Sequence, residues 1–209
     1  MQSVATALLA FTAAAALLTI TPGLDTALVL RTAASEGPRR ALQAGLGIVT
    51  GCLVWSAIVA AGLGVLLIAS RIAYDTLRWV GAAYLLYVGF NLLRRPRSRF
   101  LDEAAPARRG RGAFARGALT NLLNPKVGIF YVSFLPQFIP AGVPVAPFTL
   151  LLGAIHCLLG LAWFLALLAA LRPLSAWLER PTVVRWLERA TGGVFLAFGA
   201  RLALESRQS

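Results

Sequence analysis

An all-α integral membrane protein of six transmembrane helices is predicted by three features of this 209-residue sequence. It is 58% hydrophobic and only 13% charged, against roughly 25% charged in soluble domains. Its apolar residues fall in six long runs, and its basic residues gather in the linkers between them. A run of about 20 residues at 1.5 Å per residue covers the roughly 30 Å hydrocarbon layer. The six runs leave no room for a separate soluble domain.

The runs are Val4 to Ile20, Ile48 to Ser70, Leu77 to Leu93, Phe114 to Ile139 with a break, Phe148 to Leu171, and Val183 to Leu204. Arg94, Arg95, Arg97, Arg99, Arg108, Arg109, Arg111 and Arg116 crowd the third linker, opposed only by Asp102 and Glu103. Smaller basic excesses follow the first run (Arg31, Arg39 and Arg40 against Glu36) and the fifth (Arg172, Arg180, Arg185 and Arg189 against Glu179 and Glu188). The positive-inside rule puts these three linkers in the cytoplasm and both chain ends outside. The net charge of +12 therefore reads as topology. A nucleic-acid role would need a folded basic face interleaved with aromatics, whereas the aromatics here lie within the runs. Contact between the Arg94 to Arg116 linker and anionic headgroups is the better expectation.

The first run extends past what a bilayer needs, since Val4 to Leu30 would make a helix of about 40 Å. Within it stands Thr21-Pro22-Gly23-Leu24-Asp25. Proline removes a backbone donor and clashes with the preceding turn, and glycine tolerates the resulting bend, so a break is expected at Pro22 and Gly23. The second and third runs are rich in glycine. Pairs such as Gly47 and Gly51 allow close helix packing, as a static seam or as a surface that slides. The fourth run is broken in its turn at Asn121-Leu122-Leu123-Asn124-Pro125-Lys126, with a second disruption at Pro136-Gln137. Cys52 and Cys157 fall inside spans and read as thiols without a metal or disulfide role.

Pro22 and Pro125 each open a three-helix block. Two odd-numbered blocks in series have opposite orientations in the membrane, the layout of an inverted-repeat transporter whose broken helices meet at the substrate site. The domain expectation is a first repeat over 1–93, a basic cytoplasmic linker over 94–113 and a second repeat over 114–209. Thin six-helix bodies of this kind favour an oligomer, here a homodimer.

Asp25 is the only acid between Val4 and Leu30. An intramembrane carboxylate is costly without a partner, water or freed backbone donors. Two roles are open: a cap for the helix that resumes after Gly23, or a cap that also binds ligand or proton at an open helix N-terminus. Lys126 is the only lysine beside nineteen arginines. Lysine loses its proton on burial and arginine does not, so Lys126 is a candidate to bind a substrate carboxylate or to pair with Asp25. The alternative is that it snorkels to the headgroups. Thr21, Asn121 and Asn124 stand beside the breaks, placed to satisfy freed backbone groups or to ligate substrate. One acid, one base and several amides and hydroxyls suit a zwitterion. Asn91, Gln137 and His156 are secondary candidates. The sequence carries no nucleotide loop, nucleophile elbow or metal-ligand cluster, so no cofactor, metal or catalytic residue is expected and the chain is not read as an enzyme.

Thr21 to Arg31, Glu36-Gly37-Pro38-Arg39-Arg40-Ala41 and Gly45 to Gly51 together resemble the N-terminal signature of the LysE/RhtB superfamily of amino-acid exporters. Gly117 to Lys126, followed by Phe130, Phe134 and Leu135-Pro136-Gln137-Phe138, is similar to its second signature, and Gly81, Ala83-Tyr84-Leu85 and Gly89 fit its third helix. The similarity covers nearly the whole chain and is nearest the homoserine/threonine-type branch. Leu24 departs from the pattern, which usually has a second proline there. The resemblance implies a proton-driven inner-membrane exporter with Asp25 and the Asn124-Pro125-Lys126 turn at its site. The expected mechanism is alternating access, with amino acid taken from the cytoplasm and a proton from outside, and Asp25 as the proton site. The alternatives are export of another small solute such as a divalent cation, which should demand several oxygen ligands, an intramembrane enzyme, or a structural membrane subunit.

Overall fold

A computed structural model describes residues 3–69, 71–95, 112–170, 176–177 and 180–204. Arg97, Arg99, Arg108, Arg109 and Arg111, with Asp102 and Glu103, lie outside the described residues, as do Ser70, Leu171, Arg172 and Glu179. Among those described, every regular element is helical.

The first helix, α1 (Val4–Ile20), starts at Ser3, whose side chain accepts the Thr6 N–H at 3.1 Å. It contains no charged residue and stops where the sequence requires. The Thr21 N–H still reaches the Leu17 carbonyl at 3.0 Å, but Pro22 has no N–H to offer and Gly23 is fully extended. Helix α2 (Leu24–Glu36) resumes at an angle of 47° to α1. Gly37 then turns the chain at φ +89°, a conformation that a side chain rarely adopts, and Pro38 opens α3 (Pro38–Ala69) in the first-turn position that suits proline. Next comes α4 (Arg71–Arg94).

The fourth run divides more finely than its prolines alone suggest. Helix α5 (Ala113–Leu122) ends at Leu123, and α6 (Pro125–Ile129) begins on the Asn124 cap. Pro125 is therefore the first residue of the resumed helix, and the interruption itself falls at Leu123 and Asn124. One turn later the chain widens into a π segment (Phe130–Phe134), where the Leu135 N–H bonds the Phe130 carbonyl, and then tightens into a 3₁₀ turn (Leu135–Phe138) containing Pro136. Gln137 Nε2 donates to the Ser133 carbonyl at 2.9 Å, supplying a donor to backbone that irregular helix leaves short of one. Helices α7 (Val145–Ala169) and α8 (Pro181–Leu204) complete the fold.

By length and composition, Pro38–Gly62 and Val145–Ala169 each suffice to cross a bilayer, and the bent α1–α2 pair makes a third candidate span. Helix α3 packs on α5 and α7, α4 packs on α8, and α1 packs on α7 and α8. An aromatic block fills the centre. Phe134 stands 5.2 Å from Phe130, 5.0 Å from Phe138 and 4.5 Å from Phe198, and Phe11 of α1 meets Phe138 edge-on at 5.4 Å. In lipid such contacts act through dispersion and close fit, because burying apolar surface against apolar tails gains little.

Glycine decides where backbones touch. A Cβ on Gly47 would fall 2.0 Å from the Phe114 carbonyl oxygen, and one on Gly117 would fall 2.0 Å from that of Ala44, so α3 and α5 meet backbone to backbone. The α4–α8 seam repeats this at Gly89 and Gly192, where a Cβ added to either would fall 2.8 Å from the other's carbonyl oxygen. Arg116 of α5 is also ion-paired with Glu36 at the end of α2, with both side chains partly exposed. A double-mutant cycle with Glu36→Gln and Arg116→Gln, read by thermal unfolding, is expected to give a coupling of about 1 kcal/mol at low salt, less at high salt.

Candidate functional site

The two interruptions face each other. At the first, α1 ends in carbonyls with no intrahelical partner, which lipid cannot satisfy. Thr21 Oγ1 donates to the Leu17 carbonyl at 2.6 Å. Lys126, from beyond the second interruption, extends its Nζ to the Leu18 and Thr21 carbonyls at 3.2 and 3.1 Å. Its cation thus rests on the negative end of the α1 dipole. It passes closely over Gly23, where a Cβ would lie 3.8 Å from Nζ.

Asp25 holds the reciprocal position. Gly23 is the cap residue of α2 and makes no side-chain cap bond, while Asp25 stands in the first turn, a carboxylate at the positive end of the helix. Asn121 Nδ2 of α5 donates to Asp25 Oδ2 at 2.9 Å and to Cys52 Sγ at 3.4 Å. The other oxygens of this pair, Asp25 Oδ1 and Asn121 Oδ1, are enclosed and have no hydrogen-bond partner among the described residues. At the second interruption Asn124 Oδ1 accepts the Lys126 N–H at 3.1 Å and so caps α6. The second half of the chain therefore supplies a charged and an amide side chain to the first half's broken helix.

These groups surround a cavity of about 60 Å³, bounded by α1, α2, α3, α6 and α7. That is room for about four waters. Among the described residues Asp25 is its only acidic wall residue, facing Lys126 and His156, with Thr21, Asn124, Cys52 and Cys157 also on the wall. His156 Nδ1 lies 2.9 Å from Tyr131 Oη, and the ring sits 5.0 Å from that of Phe130.

Of the residues singled out in the sequence, Thr21, Gly23, Asp25, Asn124 and Lys126 line the cavity, and so does His156. Asn121 is fully buried behind Asp25 and orients it. Pro22 lies within the first interruption, Pro125 opens α6 and Pro136 lies in the 3₁₀ turn. Gln137 is engaged with backbone beyond the cavity, and Asn91 borders a different cavity, between α4 and α8. The two cysteines are free thiols on the cavity wall. Thr191 was not singled out. Its hydroxyl stands 2.6 Å from Thr21 Oγ1 and ties α8 to the first interruption. A lone threonine in an amphipathic stretch gives no sequence signal for such a contact.

Two helices interrupted at one polar cavity, inside a bundle with spans long enough to cross a bilayer, define a membrane carrier for a small solute rather than an enzyme. The chain belongs to the LysE type translocator family, which it matches over residues 16–206. It is 32% identical over 206 residues to the Bacillus subtilis protein named uncharacterized membrane protein YrhP, covering 94% of this chain and 98% of that one. It is 30% identical to the homoserine/homoserine lactone efflux protein of Salmonella typhimurium (90% and 91% covered) and 33% identical to the threonine efflux protein of Escherichia coli (88% and 91% covered). No solved structure matches the chain.

Proposed function

We propose that this carrier exports amino acids or close derivatives from the bacterial cytoplasm, driven by protons and working by alternating access between two inverted three-helix repeats. The observation that carries the reading is the arrangement of opposite charges across one small cavity, Lys126 on the end of α1 and Asp25 at the start of α2. Such a site complements a zwitterion. A substrate carboxylate competes with the Leu18 and Thr21 carbonyls for Lys126, and an ammonium group satisfies the unpartnered oxygens of Asp25 and Asn121. A divalent cation would want several acidic oxygens, and among the described residues this wall offers only those of Asp25. The efflux proteins named above act on homoserine, its lactone and threonine, and support the same substrate class here.

In this reading the chain crosses the inner membrane six times, with repeats over 1–93 and 114–209, a cytoplasmic linker over 94–113 and both termini periplasmic. Exchange of the halves maps α1–α2 onto α5–α6, α3 onto α7 and α4 onto α8. One pair of contacts is in keeping with this exchange, since α3–α5 maps onto α1–α7. Asp25 carries the coupling proton. Protonation removes its hold on an ammonium group, so a proton entering from outside and an amino acid leaving the cytoplasm use the carboxyl in turn. A homodimer is the proposed assembly.

The test is efflux from proteoliposomes loaded with homoserine or threonine. An imposed proton gradient, acidic outside the face that receives substrate, should drive uphill movement, and a protonophore should stop it. Transport indifferent to collapse of the gradient removes the coupling, and movement of neither amino acid, nor of others in a panel, removes the substrate class. Lys126→Arg is expected to fold and to export about tenfold more slowly. A compact ammonium fits the gap over Gly23 to two carbonyls, whereas a planar guanidinium is wider and cannot give up its proton. Unchanged export by this variant would remove the special role of lysine.

A further inference from the structure

A second cavity, of about 390 Å³, lies between α4, α6 and α8, and Lys126 belongs to its wall as well as to that of the central cavity. Its polar wall residues include Asn91, Arg95 and Glu188. Glu188 is 2% exposed, and an ionisable residue on a membrane helix that also lines a cavity is a candidate for a site. The sequence treats it as one charge among the arginines around it, but the fold places it on the cavity wall.

The lining follows α4 from Arg95, at the end of that helix, back to Tyr84, a distance of about 16 Å. On α8 it extends from Glu188, two turns into the helix, to Phe195. In the orientation proposed above, Arg95 and the start of α8 are cytoplasmic. The cavity therefore leads from the cytoplasmic surface to Lys126, behind which lies the central cavity.

We propose that this second cavity is a cytoplasmic vestibule that binds an amino acid before the central cavity does, Glu188 and Asn91 receiving its ammonium group and Arg95 and Lys126 its carboxylate. Lys126 is the point of transfer, because the same ammonium serves both cavities and holds one carboxylate at a time. The substrate class and direction rest on the export reading. The vestibule adds a first binding step and assigns Glu188 to it.

The experiment combines labelling with kinetics. Asn91→Cys is labelled with a membrane-impermeant maleimide in inside-out and right-side-out vesicles, against the parent chain, whose Cys52 and Cys157 on the central cavity wall set the background. The expected result is labelling from the cytoplasmic face only, slowed at least threefold by millimolar homoserine or threonine. In proteoliposomes Glu188→Gln should raise KM about tenfold with kcat within threefold, and Glu188→Asp should recover part of the loss. Labelling from neither face would mean that lipid fills the cavity, and labelling from outside alone would mean that it opens the other way. Failure of both amino acids to slow labelling, in a chain that exports them, would leave a water-filled crevice without a site. Loss of kcat and thermal stability at unchanged KM would make Glu188 structural. Each of these four results overturns the vestibule while leaving export intact. If the parent chain moves neither amino acid, the export reading fails, and the sidedness of labelling still decides whether the cavity opens to the cytoplasm.

Discussion

Replacement of Asp25 by asparagine is expected to lower uphill efflux at least 100-fold while leaving the protein folded. The amide has the shape of the carboxyl and still offers an oxygen to Asn121 Nδ2, the bond that now ties α2 to α5. The charge is what disappears, and with it the group that in the proposed cycle exchanges a proton for a substrate ammonium. A factor of 100 corresponds to about 2.7 kcal/mol of transition-state free energy. That is a moderate demand on a small, largely enclosed cavity that holds a carboxylate and an ammonium on one wall. Asp25→Glu retains the charge but advances it by one methylene, and should recover transport in part. The readout is uphill efflux beside a thermal unfolding midpoint in the same detergent. A variant that melts several degrees lower would trace the loss to the α2–α5 tie instead, and wild-type efflux would remove Asp25 from the coupling step.

The features legible in the sequence were those that local chemistry imposes. Pro22 and Gly23 end α1 whatever surrounds them, because a missing donor and a missing side chain act on the backbone directly. Pro125 marked the second interruption less accurately. Proline is at home in the first turn of a helix, so the break precedes it, at Leu123 and Asn124. The π segment before Pro136 was not legible, since it depends on how one turn redistributes its hydrogen bonds around the proline. The uniqueness of Lys126 was visible in composition, but its target was not. The carbonyls of Leu18 and Thr21 are 108 and 105 residues away in the chain, and only the folded bundle brings them within reach. Asn121 was legible as a polar group beside the break, but its bond to Asp25, 96 residues away in the chain, was not. Glu188 was hidden by its neighbours, because a run with Arg185 and Arg189 reads as topology until one of its members is seen to face inward.

Gly117→Val and Gly47→Val are expected to abolish the fold rather than the chemistry. A Cβ at either position falls 2.0 Å from a carbonyl oxygen of the opposing helix, at Ala44 and Phe114. Backbone on both sides leaves no flexible side chain to move aside, so the helices must part by more than 1 Å. Overpacking in a tight core costs about 1–3 kcal/mol and more where backbone must shift, and the two Val methyls add to the clash of Cβ itself. The consequence reaches the site along α5. Asn121 lies one turn beyond Gly117, held on its other side by Gly51, where an added Cβ would come within 2.6 Å of Asn121 Oδ1. Separation of α3 from α5 therefore withdraws the donor from Asp25. Gly117→Ala should show the intermediate case, with little folded protein recovered and export below a tenth of normal per folded molecule. Gly62→Ala is the control, since nothing lies within 4 Å of the added carbon, and alanine in mid-helix is favoured over glycine by about 1 kcal/mol. Its yield and melting temperature should equal or exceed those of the parent. Equal tolerance of alanine at 47, 62 and 117, measured by folded yield and efflux side by side, would mean that α3 and α5 do not meet through their backbones in the membrane.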